Sequence, residues 1–429
     1  MTRRAPRGRP LIPLPVGGER RTILIWVCVL IAVNQLGFGT IVPVVPLYAE
    51  SYGVNNTAIG LAIAIYGLAR FLVNVPAGLL ADGRGRRWTL TLGGVLTVLG
   101  NAGCAIAWDY PVFLIARFVA GAGAAMVLTG GQIVVADIAS PHNRGRLMSV
   151  YQGVFLFAVG AGPFPGGFLA DRVGLAAPFV VNAALAAVVA ALAWTKMPET
   201  RDLGGPRPAS AGPSIGVRAR LALLAATPGF LMISVVSFVA FFVRTGGLFN
   251  VIPIVGEDEI GLGPDQIGIG LGMISVVGLV LAYPSGALVD RFGRKAVIVP
   301  AALLTSGATV FFAVAPTYSW FLGACLLWSV ASGVGGAAPA AYAADTAPPG
   351  MTAAALGTYR TIADSGYVVG PLLLGLIADA LSPDAALLTC AVLLLGSGVA
   401  FAVWAPETLP REVITARPEP RSGPPDRGP

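Results

Sequence analysis

Gly78-Leu79-Leu80-Ala81-Asp82 closes a long apolar stretch of this chain, and the phrase returns three times. It reads Gly167-Phe168-Leu169-Ala170-Asp171, then Gly286-Ala287-Leu288-Val289-Asp290, then Gly375-Leu376-Ile377-Ala378-Asp379. The spacing is regular: 167 − 78 = 89, 375 − 286 = 89 and 286 − 78 = 208. Asp137 and Asp345 close two further apolar stretches and also stand 345 − 137 = 208 apart. Self-similarity at a fixed period marks duplicated structural units. The chain therefore reads as four units paired into two halves.

Composition says where those units sit. Of 429 residues 55% are hydrophobic and 11% charged, with a mean hydropathy of +0.78. Soluble domains average about 25% charged residues, so most of this surface faces something other than water. Only helices and closed barrels satisfy their own backbone in lipid. The apolar runs are continuous and about 20 residues long, the helical length for a bilayer, and do not alternate as barrel strands do. The net charge of +7 is spread over short loops rather than gathered on one folded domain, which argues against nucleic acid as a partner. Cys28, Cys104, Cys325 and Cys390 lie inside apolar runs without ligand spacing, so neither a metal nor a cofactor is expected. The only lysines, Lys196 and Lys295, are followed by Met and Ala, so no phosphate-cradling Gly-Lys-Ser/Thr loop exists and an ATP-driven pump is excluded. No enzymatic activity is expected.

Residues 1–21 are Arg- and Pro-rich and read as a disordered N-terminus. Six spans follow over 22–197, a Gly/Pro/Arg linker over 198–224, six more spans over 225–405, and a polar tail over 406–429. The spans lie near 22–48, 57–80, 88–108, 111–136, 147–170, 175–197, 225–253, 265–288, 295–315, 317–344, 353–378 and 384–405. One set of loops carries Arg84, Arg86, Arg87, Arg144, Arg146, Arg291, Arg294 and Lys295; the opposite set carries Arg172 and the acidic run Glu257-Asp258-Glu259. Excess Lys/Arg marks the cytoplasmic side, so both termini are expected in the cytoplasm and the chain in the plasma (inner) membrane. Three-span units then alternate in direction, giving the inverted repeats from which secondary transporters build two half-bundles about a central site. The expected fold is all-α, with twelve transmembrane helices in two pseudo-symmetric six-helix bundles.

Five charged residues cannot be assigned to a loop: Arg70, Arg117, Arg244, Arg360 and Asp364. Each costs about 2.5–3.5 kcal/mol or more at a helix centre and so belongs in a wet interior. Arg360, Asp364 and Tyr367 share one helix face at i, i+4 and i+7. Asp364, the only acid among the five, is the natural candidate for proton exchange, with Arg360 and Arg117 beside it; a buried ion pair holding a helix interface is the structural alternative. Asn34, Gln35, Arg70, Gln132, Arg244 and Tyr367 are the candidates for the substrate cavity. Interior charge of 4 − 1 = +3 suits neutral or anionic cargo better than cations.

These motifs resemble the major facilitator superfamily over essentially all spans, and within it the twelve-span drug:proton antiporter branch. Gly286 through Asp290-Arg291-Phe292-Gly293-Arg294-Lys295 is similar to the whole loop signature of that family. Gly78 through Asp82-Gly83-Arg84-Gly85-Arg86-Arg87 matches it except at Gly83. The resemblance implies a conformational latch built from Gly78, Asp82, Arg86 and Asp137 and repeated as Gly286, Asp290, Arg294 and Asp345. Leu114 through Ala125 resembles the motif whose buried Arg, here Arg117, is assigned to proton transfer, with Ala120 where Gln is usual. Gly162-Pro163-Phe164-Pro165-Gly166-Gly167 resembles the antiporter hallmark, implying a helix bend at Gly162, Pro163, Gly166 and Gly167. Members of the branch often carry Asp in the first span where Asn34 stands, which places more weight on Asp364. The function implied is alternating-access, proton-coupled efflux of amphipathic small molecules or drugs by a monomer in the bilayer. Transport of an anionic or sugar-like metabolite, and a non-transporting membrane receptor or scaffold, are the alternatives.

Overall fold

The computed structural model describes residues 18–139, 144–201, 222–336, 338–348 and 352–408. Within them, twelve helices are long and apolar enough to cross a membrane. In the first half these are α1 (Gly18–Ile41), α2 (Asn56–Arg84), α3 (Arg86–Ala105), α4 (Tyr110–Ile138), α5 (Arg144–Ala161 continued by Pro163–Val173) and α6 (Ala177–Lys196). The second half contains α7 (Pro228–Phe242, a π-helical stretch Val243–Val251, then Ile252–Asp258), α8 (Pro264–Phe292), α9 (Lys295–Ala313), α10 (Tyr318–Gly335 continued by Ala338–Asp345), α11 (Thr352–Ala380) and α12 (Pro383–Trp404). A short helix, Val45–Glu50, extends α1.

Local chemistry fixes the ends. Asn55, Asp109, Thr317 and Ser382 each accept a backbone N–H with their side chains at the starts of α2, α4, α10 and α12. All four caps lie at one end of the molecule, the acidic face that also carries Glu50, Glu257 and Asp258. At the opposite, basic face, α2 turns into α3 through Gly85 (φ +103°) and α8 into α9 through Gly293 (φ +95°). Only glycine takes that backbone without strain, so the two loop signatures form the same turn.

Within the first half α3 packs on α4 and α6, and α1 on α5 and α6; within the second, α9 packs on α10 and α12, and α7 on α11 and α12. The halves meet along two seams, α2 against α11 and α5 against α8. A two-fold exchange of halves turns α2 into α8 and α11 into α5, so each seam is the image of the other.

Both seams are closed at the acidic face and parted at the basic face. Along α2, Gly60 lies against the Pro371 carbonyl and Gly67 against the Tyr367 ring, while Gly78 has nothing within 4 Å of a Cβ placed on it, and nor does Gly357 on α11. Along α5, Gly167 lies against Pro264 and Gly268, and Gly160 against Ser275, while Gly153 has nothing within 4 Å. Apolar side chains seal the closed end: Ile254 of α7 is buried with Val44, Val45 and Ile59, and Val42 and Leu47 with Val251 and Val255. The opening narrows toward Tyr367.

Candidate functional site

At the apex of the opening, α2, α4, α7 and α11 bring three guanidinium groups around one phenol. Arg117 is 2% exposed. Its Nε donates to the Ala62 carbonyl at 3.1 Å, and its guanidinium lies 4.7 Å from the centroid of the Tyr66 ring. Arg70 stands 5.8 Å over the Tyr367 ring. Arg244 stands 5.7 Å over Phe249 and is solvent-accessible although protein surrounds it, as expected of a cavity wall. Arg70, Arg117 and Arg244 all lie within electrostatic reach of the Tyr367 hydroxyl. Beside them a cavity of about 20 Å³ is lined by Phe38, Ile63, Arg117, Phe249 and Tyr367, room for roughly one water.

The π-helical stretch that carries Arg244 was not foreseen. Gly246 lets α7 approach the Gly370 backbone of α11, and Pro253 cannot donate to the preceding turn. Wide turns of this kind recur at functional sites. The Thr245-Gly246-Gly247 triplet inside a span was the available signal.

The remaining cavity candidates separate. Arg360 and Asp364 form their pair, Nε to Oδ2 at 3.0 Å, but with side chains 58% and 32% exposed. That exposure sets the pair apart from a buried ion pair holding a helix interface. The two lie one and two turns from Tyr367 toward the basic face, where the seam has parted, so water reaches them. Arg360 rests 5.3 Å over the Phe241 ring. Asn34 and Gln35 are buried and bonded to each other, Asn34 Nδ2 donating to Gln35 Oε1 at 2.9 Å. Gln132 is exposed and not bonded to any of these residues.

The implied latch residues form compact clusters within each half. Arg86 donates through Nε to Asp137 Oδ2 at 2.7 Å and through Nη2 to Asp137 Oδ1 at 3.4 Å, while Nη1 donates to the Ala81 carbonyl at 2.8 Å and lies 3.4 Å from Asp82 Oδ1. The second half repeats this with Arg294 Nε donating to Asp345 Oδ2 at 2.9 Å. The surroundings of Gly286 and the side chain of Asp290 lie outside what the structure describes. Gly78 makes no close approach here, since the seam beside it is open.

Each cluster also holds residues that the sequence had placed in a linker or tail. Thr200 donates to Asp137 at 3.0 Å and Thr408 to Asp345 at 3.1 Å. Glu199 accepts the Arg86 amide at 3.0 Å, and Glu407 accepts the Arg294 and Lys295 amides at 3.1 and 3.0 Å. A carboxylate thus caps the positive end of α3 and of α9. Pro198-Glu199-Thr200 and Pro406-Glu407-Thr408 are the same triplet, 406 − 198 = 208 apart. The repeat extends into segments read as connectors.

The model of the Major Facilitator Superfamily matches residues 27–263 and 233–425. The chain belongs to that superfamily. An uncharacterised transporter of the superfamily from Methanocaldococcus jannaschii is 23% identical over 374 residues, 85% of this chain and 92% of the relative. The quinolone resistance protein NorA of Staphylococcus aureus is 27% identical over 136 residues, 32% of this chain and 35% of NorA. Among solved structures, the human organic anion transporter MFSD10 (TETRAN) superposes with a TM-score of 0.62 at 19% identity, covering 89% of this chain and 99% of that one; at that identity the likeness concerns the fold.

The chain is thus a multi-pass membrane transporter of small molecules with the major facilitator fold. In that fold the antiporter-like motif has a visible part in the packing. α5 breaks at Gly162 and resumes at Pro163. Cβ atoms at Gly162 and Gly166 would collide with Gly39 and with the Thr40 carbonyl of α1, and one at Gly167 with the Pro264 carbonyl of α8. The motif joins the α5 bend to the closed seam.

Proposed function

We propose that this transporter works by alternating access and exports amphipathic small molecules in exchange for protons. It does so as a monomer of two bundles, 22–197 and 225–405, with both termini in the cytoplasm. The carrying observation is the pair of seams closed at the acidic face and parted at the basic face. With the basic face cytoplasmic by its Lys/Arg excess, this is a cavity open to the cell interior and shut to the outside. Rocking each seam about its midpoint would reverse that access. Similarity to NorA over a third of the chain favours efflux.

Asp364 is the coupling candidate, since it sits in the wetted cavity beside Arg360 and within electrostatic reach of Tyr367. The test is uphill flux in proteoliposomes under an imposed pH gradient. Asp364→Asn should lose gradient-driven accumulation yet retain downhill exchange. Undiminished accumulation would remove the carboxylate from coupling. The second reading, an anionic metabolite as cargo, is favoured by the arginines around Tyr367; the organic anion transporter of like fold agrees with it.

A further inference from the structure

We propose that a groove between α9 and α12 at the basic face binds an anionic phospholipid. Its headgroup phosphate sits on Lys295, and part of an acyl chain lies along Ala296, Val299, Pro300 and Ala402. The site is on the outer wall of the second half and does not depend on which cargo is carried.

The 208-residue repeat brings the groove to light. Lys295, Ala296, Ala402 and Glu407 stand 208 residues after Arg87, Trp88, Trp194 and Glu199. In the first half that corner is filled from within. The Trp88 and Trp194 rings meet edge to face at 5.3 Å, and the Arg87 guanidinium lies 4.3 Å over Trp194. In the second half both tryptophans are alanine. A groove of about 420 Å³ takes their place, lined by Lys295, Ala296, Val299, Pro300, Ala402 and Glu407. That volume lies in the range of sites for small organic molecules. α9 packs on α10 and α12, and other helices form the two seams. Leu303 and Leu304 of α9 and Val403 of α12 are exposed, so this wall faces the bilayer.

Chemistry selects the occupant. Lys295 Nζ donates to the Ala405 carbonyl at 2.8 Å, which holds the ammonium in place and leaves two of its three donors to spare. Glu407 beside it is engaged by the Arg294 and Lys295 amides at 3.1 and 3.0 Å, where the positive end of α9 offsets its charge. Pro300 has no N–H to give the Ala296 carbonyl one turn back, so an acceptor remains in the wall for a headgroup hydroxyl. A phosphate answers the ammonium, and the aliphatic walls answer an acyl chain. Inorganic phosphate would leave those walls uncovered. A choline headgroup would bring its own cation against Lys295.

The test is native mass spectrometry of the full chain in detergent, which requires neither transport nor a proton gradient. The two probes, dioleoyl phosphatidylglycerol and dioleoyl phosphatidylcholine, share their chains and differ in headgroup. The parent should bind one phosphatidylglycerol at least about fivefold more tightly than phosphatidylcholine, as expected of one lysine at a membrane surface. Lys295→Gln should erase that preference and leave phosphatidylcholine within about twofold. Ala296→Trp with Ala402→Trp, the pair that the first half carries, should weaken both lipids by about tenfold, the equivalent of two methylenes losing their burial. If the tryptophan pair does not fold, Lys295→Gln decides the matter. Phosphatidylglycerol held equally by the parent and the filled variant would overturn the site, as would an unchanged preference in Lys295→Gln. Equal affinity for the two headgroups in the parent would also overturn it. So would a parent that binds neither lipid tightly, the result expected if residues 409–429 lay in the groove instead.

Discussion

The carboxylate of Asp379 at the end of α11 accepts both the backbone amide of Thr57, at 2.8 Å, and its hydroxyl. The neighbouring amide of Asn56 donates to the same carboxylate at 2.8 Å. These bonds cap the start of α2 with a residue from the other half, so they exist only while the acidic face is closed. Asp379 is also the last residue of the phrase that repeats through the chain.

Asp379→Ala should therefore favour opening at the acidic face. Each charge-assisted bond contributes about 1.5–3 kcal/mol when well formed and less where water competes, enough to change the ratio of open to closed forms severalfold. The measurement is labelling of a single cysteine at position 45, buried in the seal, by an impermeant maleimide in a cysteine-free background. A labelling rate equal to that of the parent would mean that the cap does not hold the closed form.

The two charge clusters should differ in their effect on stability. Arg86 and Asp137 are almost wholly buried, with side chains 5% and 7% exposed, whereas Arg294 and Asp345 are 16% and 35% exposed. Asp137→Asn leaves a buried guanidinium with the half-exposed Asp82 as its remaining counter-charge, a loss of up to about 3 kcal/mol. Asp345→Asn breaks a wetter pair, for which about 1 kcal/mol is the upper range. Thermal unfolding in detergent should show a distinctly larger fall for the first variant; equal falls would contradict the difference in burial.

Glu50 gives the acidic face a pH dependence. Burial, and then the charges of Asp258 and Glu257 across the seam, push its carboxyl up to about 7 from an ordinary 4.5. Opening separates Glu50 from those carboxylates and returns it toward the ordinary value. The closed form holds the proton more tightly, so its advantage is complete below pH 4.5. That advantage falls as pH rises through 7 and is constant above. Labelling at position 45 should accelerate between those limits, and Glu50→Gln should flatten the profile. An unchanged profile in Glu50→Gln would place the titrating group elsewhere.

Much of the fold was legible because lipid leaves few choices: apolar length set the spans, loop arginines distinguished the faces, and the 208-residue period paired the halves. The same period ran on through Glu199 and Glu407. Pro, Gly and Arg nearby make those segments read as connector, and nothing in a sequence marks a carboxylate as the cap of a distant helix. The face shared by Arg360, Asp364 and Tyr367 followed from helical spacing. How wet each became did not, because it depends on where the seam parts. Arg244 stood out as a charge inside an apolar run, but the π-helical stretch that carries it was not legible: Gly246 lies against the Gly370 backbone there, a contact only tertiary packing defines.

Gly60 and Gly78 lie on the same helix at opposite ends of one seam, and alanine should act on them oppositely. A Cβ at Gly60 would overlap the Pro371 carbonyl, a backbone atom that cannot swing aside, whereas one at Gly78 meets nothing within 4 Å. Gly60→Ala should therefore oppose closure at the acidic face and raise labelling at position 45. Gly78→Ala leaves this conformation unstrained, so labelling there should not rise. If rocking brings the Gly78 end of α2 against α11, as closure of the basic face requires, Gly78→Ala obstructs only the opposite state. Its mark would be slower flux with labelling at position 45 unchanged or reduced. Gly78→Ala that transports at the full rate would mean that α2 does not close onto α11 there, and that the basic face shuts by another route.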